Sequence, residues 1–500
     1  MTAAALESSV RHYGSNGNGG NEHSSQRGRV GTSAPSSEQD RTEVSSDVDE
    51  MTPLLKCVVP PTPLPIAQLL IVLFLRVTEP IAYMVCFPFI NQMLLDIGAV
   101  DDPKKAGFYA GIVESVFAFT ELLTVFHWGK VSDRIGRKPV LLIGCAVGAV
   151  SAIAFGASRS FTALVITRAI NGLANGNVAV LKSVIGELTD ETNQARAFSF
   201  FPLSLAIGSI LASCMGGYLS NIARTFPSLG DSYPILRAYP YLLPSVAAAC
   251  FPIVSGIIAA VWMEETLPPK KTAEDCTDED EQEEESHGAF KLLQNADIRV
   301  LMWSFTVMSL ESIAYQALLP LFFFTPVRDG GLGFSEAQIG TALSIRGVAT
   351  IAVQLFAFPH LVRAVGNTRL FRILVVLYIP TFLLLPLLNV LARAGAPAPV
   401  WVGVAVVLAL GAISNMAFAS NLIMTNDAVP NRRSLGALNG LAAMFSSATR
   451  VVGPSAANSL FALSVDRHAL GGNLIWAFMT CLALVGWQSS WHLKAKYGRQ

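Results

Sequence analysis

The stretch Gly129-Lys-Val-Ser-Asp133-Arg134-Ile-Gly136-Arg137-Lys138-Pro139 separates two long apolar segments, and its reading decides the fold. It has the make-up of a short loop joining two membrane-spanning helices. Glycine suits places where backbones approach closely, and a basic cluster is held on the cytoplasmic side of a bilayer. Asp133, alone among four basic residues, calls for a separate explanation.

Composition agrees with that reading. The chain is 52% hydrophobic and 14% charged, with a mean hydropathy of +0.47, too apolar for an ordinary soluble domain. The bilayer is then its solvent. A net charge of -1 offers no field that would gather nucleic acid. The seven cysteines fall in apolar segments or in stretches assigned to the cytosol, without paired spacing, which predicts neither a disulfide framework nor a metal cage. The first 50 residues are polar and lack the apolar run of a cleaved signal peptide. Residues 1–65 read as a disordered cytosolic tail, and the first spanning helix takes over targeting.

Apolar runs of roughly 20 residues, long enough to cross the hydrocarbon as helix, occur twelve times. They lie near 66–93, 106–128, 139–157, 162–185, 198–221 and 239–264, then 297–325, 337–362, 369–393, 399–426, 435–464 and 471–493. Between the two sets runs Asp275-Cys-Thr-Asp-Glu-Asp-Glu-Gln-Glu-Glu-Glu285, a solvated acidic stretch that no folded core accommodates. The fold class is therefore all-α integral membrane: twelve transmembrane helices in two pseudo-symmetric six-helix bundles. The bundles span 66–265 and 297–494, joined by an acidic cytosolic linker over 266–296 and followed by a short tail at 495–500.

The duplication leaves a faint trace. Phe358-Pro-His-Leu-Val-Arg363-Ala-Val-Gly366-Asn-Thr-Arg369 occupies the place in the second half that the 129–139 stretch has in the first. Gly136 and Gly366 coincide, while Arg363 replaces Asp133. With both ends in the cytosol, the inner loops hold about 15 Lys and Arg, Lys182 among them, against about eight outside. Both termini and the acidic linker are accordingly placed in the cytosol.

The stretch at 129–139 resembles motif A of the major facilitator superfamily, with Gly129, Asp133, Arg134, Gly136, Arg137 and Lys138 in the motif's positions. The resemblance implies a conformational latch, in which Asp133 holds the two halves together near a helix N-terminus and favours the outward-open state. Leu164-Val-Ile-Thr-Arg168-Ala-Ile-Asn171-Gly172-Leu-Ala-Asn175-Gly176 is similar to motif B, whose arginine is associated with proton coupling. Gly172 and Gly176 also form a small-residue face for close helix contact. Gly208-Ser-Ile-Leu-Ala212-Ser213-Cys-Met-Gly216-Gly217 resembles the antiporter motif C, but Ala212-Ser213 stands where that motif has Gly-Pro, so no kink is expected there.

An ionisable side chain deep in a membrane helix is expensive and a functional candidate by default. Here these are Arg76, Glu79, Glu114, Glu121, Glu311, Arg346 and Arg450. Arg76 and Glu79 are three apart and can pair, beside Pro80. Glu311, Arg346 and Arg450 fall about halfway along their segments, where facilitator helices line a central cavity, so Arg76, Glu311, Arg346 and Arg450 form the expected substrate cavity. The candidate proton-coupling residues are Glu79, ranked first, then Glu114 and Glu311, with Arg168.

Arg76-x-x-Glu79-Pro80, Trp128-Gly129, Glu264-Glu-Thr-Leu-Pro268, Asn439-Gly440 and Gly453-Pro454 narrow the resemblance to fungal relatives of the plant zinc-induced facilitator-like proteins, within the drug/proton antiporters. The plant members' Cys-containing signature and a His-rich loop are both missing, which argues against zinc as cargo. The expected protein is a proton-coupled carrier exporting a small organic compound (an organic anion, an amphiphilic secreted metabolite or a drug) by alternating access. A proton-symport nutrient importer and a receptor or scaffold on a transporter fold are the alternatives. No P-loop, HExxH or Gly-x-Ser-x-Gly is found, so no enzyme is expected. No cofactor or metal is expected either. The partners are the substrate, protons and the lipid bilayer, with no nucleic acid, for a monomer in the plasma membrane ahead of the vacuolar one.

Overall fold

The computed structural model describes residues 62–190, 192–267, 292–428 and 434–493. Most of the tail expected over 1–65, most of the acidic linker expected over 266–296 and the segment 495–500 lie outside the described residues. Twelve long helical elements follow one another: Ile66–Met84 (α1), Ala106–Ile135 (α2), Arg137–Gly156 (α3), Phe161–Leu188 (α4), Gln194–Leu219 (α5) and Leu242–Trp262 (α6), then Ala296–Phe324 (α7), Glu336–Val365 (α8), Asn367–Arg393 (α9), Pro397–Asp427 (α10), Ser434–Asp466 (α11) and Leu474–Trp491 (α12). Among the described residues eleven of these are long and apolar enough to cross a membrane. The remaining one, α11, is a single 33-residue helix whose composition is more polar, because Ser446, Ser447, Thr449, Arg450, Ser455 and Asn458 interrupt its apolar run.

Several spans expected to be continuous are interrupted, each for a local reason. The first, expected to reach residue 93, stops at Met84, and after a turn a separate short helix runs over Ile90–Asp96. Pro88 has no N–H to offer and pushes Phe87 away from helical backbone. The fourth divides into Phe161–Ala174 and Asn177–Leu188 around Asn175-Gly176, two weak helix formers. In α8 a π-helical stretch over Val353–Ala357 precedes Pro359, where the hydrogen-bond ladder must skip a donor. By contrast α5 passes through Ala212-Ser213 within one helix.

The 129–139 stretch is not a loop, and this corrects the sequence reading. Helix α2 runs on to Ile135 and α3 begins at Arg137, which leaves Gly136 as the single residue between them. Gly136 has φ 105° and ψ 157°; Gly366, between α8 and α9, has φ 82° and ψ 148°. Both conformations belong essentially to glycine alone, so the duplication faint in sequence is plain in the backbone. Gly129 departs from expectation too: it sits inside α2, and a Cβ there would meet nothing within 4 Å.

These junctions give a first prediction. Forcing alanine into either backbone costs on the order of 1–3 kcal/mol. At Gly136 the added Cβ also runs into the Glu265 carboxylate, whereas at Gly366 nothing lies within 4 Å. Gly136→Ala should therefore lower the apparent melting temperature of the detergent-purified protein by several degrees, and by more than Gly366→Ala. Equal shifts would mean that Glu265 moves aside freely.

The halves meet through two close helix pairs, α5 on α8 and α2 on α11. Gly217 and Gly340 lie backbone to backbone, and Gly107 and Gly111 receive Asn458 and Ser455. These contacts gather at the end of the molecule opposite Gly136. There Ser455 Oγ bonds Ser115 Oγ at 2.7 Å and the Gly111 carbonyl at 3.0 Å, the hydroxyls of Tyr218 and Thr341 lie 2.7 Å apart, and Lys104 pairs with Asp329 at 3.5 Å. That far end is closed.

Candidate transport site

The site is built from α1 outward. Arg76 and Glu79 are ion-paired on one face of α1, and Pro80, four residues after Arg76, leaves the Arg76 carbonyl without its usual helical donor. The Arg76 guanidinium lies over the Phe201 ring of α5, 4.6 Å from its centroid. From the second half Arg450 reaches across. Its Nη1 is 4.0 Å from Glu79 Oε1 and its Nη2 is 3.6 Å from Glu121 Oε1 in α2. Asn175, freed by the break in α4, donates Nδ2 to Glu121 Oε1 at 3.1 Å. Four helices of the first half and one of the second thus converge on alternating charges: Arg76, Glu79, Arg450, Glu121.

Lys182 corrects the count of loop cations. It lies in the second piece of α4 with its Nζ 5.9 Å from the Phe201 ring centroid, well inside a span. The cation belongs to the surroundings of this cluster.

A second cluster surrounds Arg168. Its guanidinium donates to the carbonyls of Ala82 at 3.0 Å and Tyr83 at 3.3 Å and contacts the Cys86 thiol. Those carbonyls are orphans of the early end of α1, so Arg168 fastens the unwound turn. Phe155 stacks on it at 4.7 Å. Glu114 lies within electrostatic range of Arg168, and its Oε2 is buried without a hydrogen-bond partner among the described residues. A cavity of about 10 Å³ beside Arg168 has room for about one water.

The other two expected cavity residues sit elsewhere. Glu311 is fully buried against Gly486 of α12, and neither carboxylate oxygen has a hydrogen-bond partner among the described residues. Arg346 lies over the Tyr315 ring at 5.6 Å, and Tyr315 in turn donates to the Val407 carbonyl at 3.0 Å. The structure brings Arg76 and Arg450 together through Glu79; it gathers neither Glu311 nor Arg346 into that cluster.

The junction around Gly136 forms its own network. Asp133 pairs with Arg137, four residues on, and Arg137 also binds Glu187 at 2.8 Å and the Ser132 hydroxyl at 2.6 Å. Arg134 lies in the last turn of α2. The acid seated on a helix N-terminus is Glu265, which accepts from the backbone N–H groups of Arg137 at 2.8 Å and Lys138 at 3.1 Å at the start of α3. Burial works to raise the Glu265 carboxyl, but donation from the backbones of Arg137, Leu267 and Lys138 outweighs it and holds the group below the usual carboxylate range. Lys138 Nζ donates at 2.8 Å to the Met263 carbonyl, at the end of α6. Trp128 Nε1 donates to the Leu173 carbonyl at 2.6 Å, and its indole packs into the space that Gly176 leaves by having no side chain.

Glu121, Glu187 and Glu265 carry these networks without a role assigned from the sequence. Glu121 is visible there as a deep charge seven residues after Glu114, and Glu265 stands in Glu264-Glu-Thr-Leu-Pro268. Glu187, in the last turn of α4, gives no signal.

The helical arrangement has a counterpart in a known family. The sequence profile of the Major Facilitator Superfamily matches residues 72–454. The chain belongs to that superfamily. This facilitator is 32% identical over 479 residues to the major facilitator-type transporter psiT2 of Psilocybe cyanescens, covering 86% of this chain and 90% of that protein. It is 30% identical to the efflux pump azaK of Aspergillus niger, with coverage of 82% and 84%, and 30% identical to ZINC INDUCED FACILITATOR-LIKE 1 of Arabidopsis thaliana, with coverage of 76% and 81%. Among solved structures a bacterial homologue of the human lysosomal transporter Spinster, inward-facing and occupied, superposes with a TM-score of 0.63 at 13% identity, over 88% of this chain and 100% of that one. The facilitator is thus a multi-pass membrane transporter of small molecules and not an enzyme.

Proposed function

We propose that this facilitator exports a small organic anion or amphiphilic metabolite in exchange for protons, by rocking its two six-helix halves about the site at Arg450. The observation that carries the reading is the placement of Arg450: a cation from the second half held between Glu79 and Glu121 of the first. A proton taken up by either carboxylate weakens the link between the halves, so proton binding and rocking share one set of contacts. Glu79 is the first proton site, with Glu114 and Glu311 behind it, and Arg168 keeps the α1 turn in place. Arg76, Arg346 and Arg450 supply positive charge for an anionic cargo. The relative named as an efflux pump supports export over the import alternative.

In this reading the Gly136 end faces the cytosol, both termini lie there, and the closed far end makes the conformation inward-facing. The protein works as a monomer in the plasma membrane, with 66–265 and 297–494 as its moving halves. Gly129, Asp133, Arg134, Gly136, Arg137 and Lys138 make up the latch. In the inward-facing state Asp133 is parked on Arg137, its side chain 49% exposed and free to be exchanged. Asp133→Asn should slow cycling several-fold while substrate affinity stays within a few fold, measured by transport and binding in proteoliposomes. Unchanged transport would remove Asp133 from the mechanism.

The reading itself is tested by untargeted metabolite profiling of medium and cell extract, with and without the protein. A compound lost from the medium and retained inside establishes export and names the cargo. A compound left unconsumed in the medium establishes the importer instead.

A further inference from the structure

The chain entering α1 is strapped to the connection between α4 and α5 by one residue. Thr62 lies exposed four residues ahead of Ile66. Its hydroxyl binds the Asp190 carboxylate and lies 3.1 Å from the Thr192 hydroxyl, and its backbone N–H donates to Thr192 Oγ1 at 3.1 Å. Asn193 Nδ2 donates to the Thr62 hydroxyl at 2.9 Å and to its carbonyl at 3.3 Å. A short way along, Gln68 ties α1 to the end of α6 through the Trp262 carbonyl at 3.1 Å and the Glu264 N–H at 3.3 Å. Thr62 stands in Pro60-Pro-Thr-Pro-Leu-Pro65, and a threonine followed by proline in extended backbone is what proline-directed kinases accept.

We propose that Thr62 is a phosphorylation site whose phosphate unfastens this strap. In the reaction the Thr62 hydroxyl oxygen attacks the γ-phosphorus of ATP. The bond from that phosphorus to the β,γ-bridging oxygen breaks, ADP leaves and the hydroxyl proton passes to the kinase base. Thr62, Asp190 and Thr192 are exposed and Asn193 is the one buried partner, so water competes for most of these contacts and the hydroxyl is released to the kinase at small cost.

The sign of the effect follows from what already occupies the site. Asp190 accepts from the Thr192 N–H at 2.8 Å and the Thr192 hydroxyl at 2.5 Å, just before the first turn of α5. It therefore already holds the donors that an anion would meet there. A phosphate on Thr62 Oγ1 brings about -2 further charges to that place. Arg196, exposed in the first turn of α5, is a cation against them. Repulsion from Asp190 wins, and the segment carrying Thr62 lifts off.

In the cell this rests on the reading that the Gly136 end faces the cytosol, where ATP is found; the purified protein tests the strap independently of orientation. Full-length protein carrying Thr52→Ala, which removes the neighbouring Thr-Pro, is incubated in detergent with a proline-directed kinase and ATP, then mapped by mass spectrometry and hydrogen exchange. The result expected is one phosphate on Thr62 and exchange at Thr62, Asp190 and Thr192 at least tenfold faster. In Asp190→Lys the same modification should slow exchange at least threefold, because the phosphate then meets a cation; in Asp190→Asn the acceleration should be lost. A Thr62 that stays unmodified, or a phosphate that leaves exchange unchanged or slows it in the Asp190 protein, overturns the proposal. Modification of Thr62 in the purified protein but never in cells counts against the orientation and leaves the strap standing.

Discussion

Arg450→Met is expected to abolish transport, by at least tenfold, and to destabilise the folded protein at the same time. The substitution keeps length and apolar bulk but removes the cation that Glu79 and Glu121 share. Glu79 keeps Arg76 as a partner; Glu121 keeps only the Asn175 amide among the bonds described. A carboxylate left buried after loss of its cation costs several kcal/mol, but Arg450 is 33% exposed, which brings the figure down to about 1–3 kcal/mol. The companion variant Glu121→Gln separates stability from mechanism. In the double variant the orphaned charge is gone, so the melting temperature should recover by a coupling energy of about 0.5–3 kcal/mol while transport stays lost. Transport that survives Arg450→Met would show that the link between the halves plays no part in the cycle.

The element order was legible in the sequence because the bilayer enforces a simple rule: about 20 apolar residues per crossing, with backbone polar groups satisfied within the helix. Even so, that rule says nothing about interruptions. Phe87-Pro88 and Asn175-Gly176 read as minor blemishes in apolar runs, yet they create the α1 turn that Arg168 fastens and place the amide that binds Glu121. The 129–139 stretch was misread as a loop because glycine and charge suggest solvent, whereas a helix tolerates both on an exposed face. Only Gly136, with its positive φ, stops it.

Site residues were legible as types and not as partners. Every deep charge in a span could be picked out by its insertion cost. Which of them meet depends on helix rotation, which turns Glu311 toward Gly486 of its own half while Arg450 crosses to the other. The acid capping α3 is Glu265, 128 residues from the Arg137 N–H that it accepts, a contact that no local spacing encodes.

Glu79→Gln carries the second large effect. Glu79 is ion-paired to Arg76 of its own helix and stands 4.0 Å from Arg450 of the other half. At that distance, with an effective dielectric constant of about 20, the attraction is about 4 kcal/mol before exposure is allowed for. One charge crossing 100 mV supplies about 2.3 kcal/mol, and each pH unit about 1.4 kcal/mol. Protonating Glu79 therefore changes the grip between the halves by an amount comparable to the driving force, which is what a coupling site must do. Glutamine preserves the shape and can still accept from Arg76, but it cannot change charge. Uptake into inside-out vesicles driven by a pH gradient should fall to the level seen without a gradient, while exchange of labelled for unlabelled substrate stays within a few fold. If the variant still responds to the gradient, Glu79 is not where the proton binds, and the same experiment moves to Glu114 and then Glu311.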